Sequence, residues 1–162
     1  MEILEVIKRE IESYHQNYRH PDLAPPRISN IYRLFPDEEF KGSEHSWPST
    51  WPNNGLPGVY FIFDENLSLL YIGKAKNLGS RLSSYFMYAS DRSCRIKETE
   101  WRVKPHFLVT ASIGEFFEAP SLEEYLIEQL QPSHNSVGVR SKPNMHVKVM
   151  ARLKFNNIGR NR

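Results

Sequence analysis

The side chains best suited to chemistry fall in two stretches of the chain. In the first, Tyr60 and Tyr71 flank a short polar run, Asp64-Glu65-Asn66-Leu67, and Gly73, Lys74, Arg81 and Tyr85 follow. A hairpin turning at Glu65-Asn66 sets Tyr60 directly across from Tyr71, with Cβ atoms about 5 Å apart on one side of the sheet. A slip of one residue would send the two rings to opposite faces. Two facing tyrosines equally suit an ordinary cross-strand aromatic contact. Gly73 and Lys74 fall where the second strand turns toward a helix, a place where backbone N–H groups and an ammonium can receive a phosphate. Arg81 and Tyr85 stand one helical turn apart, and a guanidinium fork matches two phosphate oxygens as a lysine does not. A surface Arg–Tyr stack would use the same spacing.

In the second stretch, Glu123 has Leu126 and Ile127 three and four residues on, so it borders an apolar helix face; Glu124 has Glu128 at i+4 and lies on a solvated stripe. A carboxylate at the edge of a core needs a partner, and a divalent cation or an arginine would serve.

The elements that must hold these groups are legible in outline. Val59-Tyr60-Phe61-Ile62-Phe63 is β-branched and aromatic, and Ser68–Gly73 is the returning strand. Asn77 is placed to cap a helix running to about Phe86, with Leu78, Leu82 and Phe86 on one stripe. A third strand is expected near His106–Thr110. Ser121 with Glu124 forms a capping-box pattern that opens a second helix, cored by Leu122, Leu126 and Leu130 and stopped by Pro132. Upstream, Leu4, Ile7, Ile11, Tyr14 and Tyr18 mark one face of an amphipathic N-terminal helix, with Glu5 and Arg9 able to pair on the other side. Residues 36–57 are loop-like in composition, but Trp47 and Trp51 imply that they pack on something.

With 162 residues, 40% hydrophobic and 25% charged, the chain suits a globular domain with an appendage and not a disordered segment. Its apolar runs, such as Leu69–Ile72, are too short to span a bilayer, and MEILEVIKRE lacks the layout of a signal peptide. A single cysteine, Cys94, argues against disulfides and Cys-rich zinc sites, and His15 with His20 has no cysteine pair to complete a zinc site. No GxSxG, Walker or GxGxxG string occurs, which weighs against esterase, NTPase and dinucleotide chemistry. Net charge is +2, but residues 70–110 carry eight basic groups against three acidic, and residues 136–162 carry seven basic groups and no carboxylate. Such blocks suit a polyanion, phosphates above all, or a solvated surface that balances the acidic N-terminal part.

Taken together, GVY at Gly58–Tyr60, YIG at Tyr71–Gly73 with KAKNLGSRLSSYF through Phe86, and LEEYLIEQLQPSHN at Leu122–Asn135 resemble the GIY-YIG endonucleases. The nearest likeness is to the N-terminal incision module of the bacterial nucleotide-excision-repair nuclease. The resemblance implies an α/β fold of the α+β type: a small, three-stranded, mainly antiparallel sheet flanked by helices, here with an N-terminal helical extension. It implies that Glu123 is the protein carboxylate on Mg²⁺ (or Mn²⁺) and that Tyr60 activates or positions the attacking water with Tyr71 beside it; service as a base would need a nearby cation to stabilise phenolate, and Lys74 is within chain reach to supply one. Arg81 would hold the scissile phosphate, Tyr85 would hydrogen-bond a phosphate oxygen, and Asn135 would order the site. Valine replaces isoleucine in the first motif, and His134 stands where the repair enzymes usually have a tyrosine.

The resulting expectation is a cytoplasmic, stand-alone, metal-dependent endonuclease acting on DNA, with RNA or branched nucleic acid open and either a monomer or a homodimer. It would comprise residues 1–57 as an extension, 58–135 as the nuclease module and 136–162 as a basic segment, with an edge strand near Met145–Phe155. Lys74, Lys76, Arg81, Arg140 and Lys142 are the candidate phosphate-gripping cations. The alternatives are a non-cleaving nucleic-acid-binding module of the same fold and an interaction domain using the Leu4–Tyr18 stripe.

Overall fold

The computed structural model describes residues 2–34, 50–88, 94–97 and 101–135. Trp47, Arg140, Lys142 and the expected edge strand near Met145–Phe155 lie outside them. In chain order the elements are α1 (Glu2–Tyr18), β1 (Arg27–Ile28), β2 (Tyr32–Arg33), β3 (Gly58–Phe63), β4 (Leu69–Ala75), α2 (Leu78–Tyr85), β5 (Phe86–Tyr88), β6 (Cys94–Ile96), β7 (Phe107–Ser112) and α3 (Ala119–Leu130); a single 3₁₀ turn, Phe116–Glu118, precedes α3. The three long strands are those expected, ordered β7-β3-β4 and antiparallel throughout. Two features extend that picture. The two-residue strands β1 and β2 both pair with β7, and β5 and β6 form a separate ribbon.

Because β3 is central and all six of its residues are buried, its alternation divides the interior in two. Val59, Phe61 and Phe63 join Leu69, Ile72, Phe107, Val109 and Ala111 beneath α1 and α3. Ile62, Leu70, Ala75 and Leu108 meet Leu78 and Leu82 of α2, together with Leu34, Trp51 and Phe86. Trp51 donates from Nε1 to Ser83 Oγ at 2.8 Å, which pins its loop against α2.

The hairpin corrects the expected register. Tyr60 lies opposite Gly73 and Ile62 opposite Tyr71, and the pairing then slips so that Phe63 faces Leu69. The cause is local. Asp64 Oδ1 accepts from the N–H groups of Asn66 and Ser68 at 2.9 and 2.8 Å, and Leu67 adopts a left-handed φ of 59°. This loop closes between Asp64 and Ser68, a bulge follows at Leu70, and the strand is displaced by two residues. A displacement of two keeps side chains on their original face, so both tyrosines still share one side.

On α1, Ile7, Ile11 and Tyr14 are buried on α3 while Tyr18 is largely exposed, so most of the stripe offered as a partner surface is used inside the fold. Glu5 pairs with Lys8 at 2.8 Å and not with Arg9, whose guanidinium lies 3.4 Å from Glu10. At the end of α1, Arg19 makes a two-point ion pair with Glu118 at 2.9 and 3.0 Å and also donates to the Ala24 carbonyl at 2.7 Å. That engagement explains the start of α3. Glu118 occupies the N-cap position without capping through its side chain, Pro120 sits in the first turn, and Ser121 lies inside the helix, so the expected capping box does not form. Asn77, in contrast, caps α2 as expected, accepting from Ser80 N–H at 3.0 Å.

Candidate active site

Four of the expected residues converge on the α2 face. Tyr60 is fully buried, and its hydroxyl lies 3.1 Å from the Tyr85 hydroxyl and accepts from Arg81 Nε at 3.4 Å. The Arg81 guanidinium stands over the Tyr85 ring, 4.9 Å from its centroid, and the Tyr60 ring is 6.0 Å from the Tyr71 and Tyr85 rings. Gly73, directly across from Tyr60, makes this packing feasible. A Cβ there would meet the Tyr60 hydroxyl at 2.3 Å and Tyr71 Cε1 at 2.7 Å. The glycine of the second motif is thus a matter of room for the catalytic-type ring of the first.

Burial pushes the Tyr60 phenol far above the usual tyrosine range, the Tyr85 hydrogen bond adds to this, and Arg81 opposes it. Tyr71 is raised as well, chiefly by burial and then by the like-charge influence of Tyr85 and Glu123. The Arg81 guanidinium is raised, first by its bond to Tyr60. Tyr60 is therefore a neutral phenol across the physiological range, and its hydroxyl is suited to hydrogen-bonding and orienting a water more than to standing by as phenolate.

On the opposite side of β4, the ammonium of Lys74 donates to a Glu123 carboxylate oxygen. The protein group that partners Glu123 is thus a lysine and not an arginine. This pairing also corrects the expectation that Lys74 attends the Tyr60 phenol: the cation at that hydroxyl is Arg81. Glu123 is largely buried and Lys74 is 40% exposed, so the pair opens to solvent from the lysine side. Both faces meet around the β4 edge, close enough for Glu123 to influence the Tyr71 hydroxyl.

Asn135 closes that edge from outside. Its Oδ1 accepts from Ile72 N–H at 2.9 Å and its Nδ2 donates to Ile72 C=O at 2.8 Å, while His134 N–H reaches the Leu70 carbonyl at 2.8 Å. The segment after α3 thus holds the strand that carries Tyr71 and Lys74. Lys76 is exposed and lies over the Phe116 ring at 4.9 Å, apart from the tyrosine group.

Sequence reasoning overlooked Trp101. Its ring meets Tyr71 edge-on at 5.8 Å and Tyr85 at 6.0 Å, and His134 packs on it at 6.1 Å. Burial and Arg102 lower the basicity of His134. Trp101 sits in an irregular stretch with no spacing to link it to either motif, so the sole available signal was a large aromatic in a polar, basic segment.

The arrangement suits a divalent cation held by one protein group. Lys74 already shows that the Glu123 carboxylate accepts a cation from the solvent side. Among the described residues no group of three or more His, Cys, Asp or Glu side chains gathers as a metal cage. A hard cation bound through one carboxylate, waters and substrate oxygens fits that donor set. Among the described residues no helix is long and apolar enough to cross a membrane.

Hairpin, arginine-bearing helix and glutamate-bearing helix together define a GIY-YIG nuclease module, and the model of the UvrC-like GIY-YIG domain matches residues 56–136, half of the chain. The chain belongs to that family. Among its relatives is the UvrABC system protein C of Helicobacter pylori (strain J99 / ATCC 700824), 42% identical over 83 residues that cover 48% of this chain and 14% of the relative. The protein of the same name from Synechococcus sp. (strain JA-2-3B'a(2-13)) is 42% identical over 80 residues, covering 49% and 12%. That from Helicobacter acinonychis (strain Sheeba) is 41% identical over 83 residues, covering 48% and 14%. The matched portion is thus about an eighth of the length of these curated relatives.

Proposed function

We propose that this chain is an endonuclease that hydrolyses phosphodiester bonds in DNA with the help of Mg²⁺ or Mn²⁺, working in the cytoplasm. The observation that carries the reading is the joint hold of Arg81 on the Tyr60 hydroxyl and the Tyr85 ring, beside a strand whose Lys74 meets Glu123 of α3. Arg81 has its remaining N–H donors to offer a scissile phosphate and stabilises the charge that grows on it as the bond to the incoming oxygen forms. Tyr60, neutral and hydrogen-bonded to Tyr85, orients the attacking water in line with the leaving oxygen. Tyr85 adds a hydroxyl contact to the phosphate, Tyr71 packs the Tyr60 ring in place, and Asn135 fixes the strand beneath them. Glu123 would hold the divalent ion, which when bound supplies Lewis-acid stabilisation of the phosphate and the leaving oxygen. Lys76 adds a phosphate contact apart from the tyrosine group, Arg140 and Lys142 of the basic C-terminal segment add further ones, and residues 1–57 serve as an extension of the 58–135 module.

Pure protein incubated with supercoiled plasmid and Mg²⁺, with EDTA and Glu123→Ala controls, tests this. Nicking or linearisation that requires both the metal and Glu123 is the expected result. Salt-sensitive binding without cleavage of plasmid, branched DNA or RNA would instead identify a nucleic-acid-binding module of the same fold.

A further inference from the structure

We propose that Lys74 is a built-in competitor for the cation seat on Glu123, so that the divalent ion binds firmly only when a phosphate arrives to take Lys74 in exchange; this rests on Glu123 being the metal ligand. Lys74 and Glu123 come from β4 and α3, and their contact joins the hairpin to the helix across the open edge of the site. The carboxylate side chain is only 14% exposed and already holds the Lys74 ammonium, so a cation that binds it has to contend with that ammonium.

The charge balance sets the order of events. With the ion pair formed, Glu123 is neutralised, and its pocket has little attraction left for a cation from solvent. A divalent ion that displaces the ammonium leaves both positive charges beside one carboxylate, with Arg81 adding a third cation around the edge. Such a cluster is unfavourable until an anion joins it. A phosphodiester offers oxygens to the metal and a partner to the freed ammonium, and both gains appear together. By linkage, the substrate then strengthens metal binding as much as the metal strengthens substrate binding. Tyr71 is also within the influence of Glu123, so the exchange alters the electrostatic surroundings of the tyrosine group as the site fills.

Mn²⁺ binding to the protein without nucleic acid, followed by the EPR signal of the free ion, reads this directly. Lys74→Gln removes the competing charge and keeps a polar side chain, and it is expected to tighten Mn²⁺ binding roughly three- to tenfold, the range for a partly exposed ion pair and its like-charge penalty. Lys74→Arg keeps the competitor and is expected to match the parent chain. Glu123→Gln should abolish the tightening in the Lys74→Gln background. Mn²⁺ affinity that is unchanged, weaker or still undetectable in Lys74→Gln overturns the proposal, provided circular dichroism shows the variant folded; Lys74→Ala gives a second reading should it unfold. Mn²⁺ binding that is indifferent to Glu123→Gln in both backgrounds would instead remove the metal-ligand reading beneath it.

Discussion

On the side of the sheet covered by α1 and α3, β3 presents Val59, Phe61 and Phe63 to an apolar interior. On the α2 side the same strand presents Tyr60, whose equally buried hydroxyl meets Tyr85 and Arg81. Residues one step apart in sequence thus enter environments with opposite demands. The first face stabilises by excluding water from hydrocarbon, worth about 1.5–3 kcal/mol for each large side chain. Polar groups are taken out of water on the second and must be matched one by one, since an unmatched buried hydroxyl costs about 1–3 kcal/mol. The α1 side answers its own polar need at its rim, where Arg19 is bound at two points by Glu118. A site face differs from a core face in carrying donors and acceptors with capacity left for a substrate.

Substitutions one residue apart probe that division, and the largest effect is expected at Phe61. Phe61→Ala should cost about 3–5 kcal/mol of stability by opening a cavity, visible as a lowered denaturation midpoint, with activity falling only as the folded fraction falls. Next, Tyr60→Phe should lower cleavage by about a hundredfold while shifting stability by about 1 kcal/mol or less. Should Tyr60→Phe destabilise as strongly as Phe61→Ala with activity kept, the two faces would not be distinct in kind. The smallest effect concerns pH. Tyr60 has a folded-state pKa raised above its unfolded value, so its contribution is fully present below about pH 10 and is lost as the unfolded chain ionises above that. Thermal unfolding between pH 9 and 11 should therefore show stability declining, by up to ~1.4 kcal/mol per pH unit for this one group, and a shallower decline in Tyr60→Phe. An unchanged slope would mean that the phenol is not shielded as its burial implies.

What could be read in advance was the local grammar. The strand at Val59–Phe63, the Asn77 cap and the Leu122, Leu126, Leu130 stripe each depend on neighbours within a turn or two, and each formed as expected. One helix and a hairpin therefore brought Tyr60, Tyr71, Arg81 and Tyr85 together. Contacts decided by distant partners were less accessible. Tyr60 faces Gly73 because Leu67 takes a left-handed conformation and Leu70 bulges, neither of which has a strong residue signature. Lys74 turned to Glu123, 49 residues away, and the start of α3 followed from Arg19, 99 residues before Glu118. Trp101 joined the tyrosines from a segment without periodicity.

The grip of Asn135 on Ile72 has a consequence for how this molecule keeps to itself in a crowded solution. An outermost strand offers its free amide and carbonyl row to any other extended chain, and folded proteins must discourage that templating. Here one carboxamide imitates a peptide group for a single residue, taking the donor and acceptor a foreign strand would need first. Pairing is blocked at its starting point while the side chains on both flanks of β4 stay reachable. A protein that must leave one margin of its sheet open for a ligand can in this way avoid being sealed by a sister chain and avoid seeding fibrils.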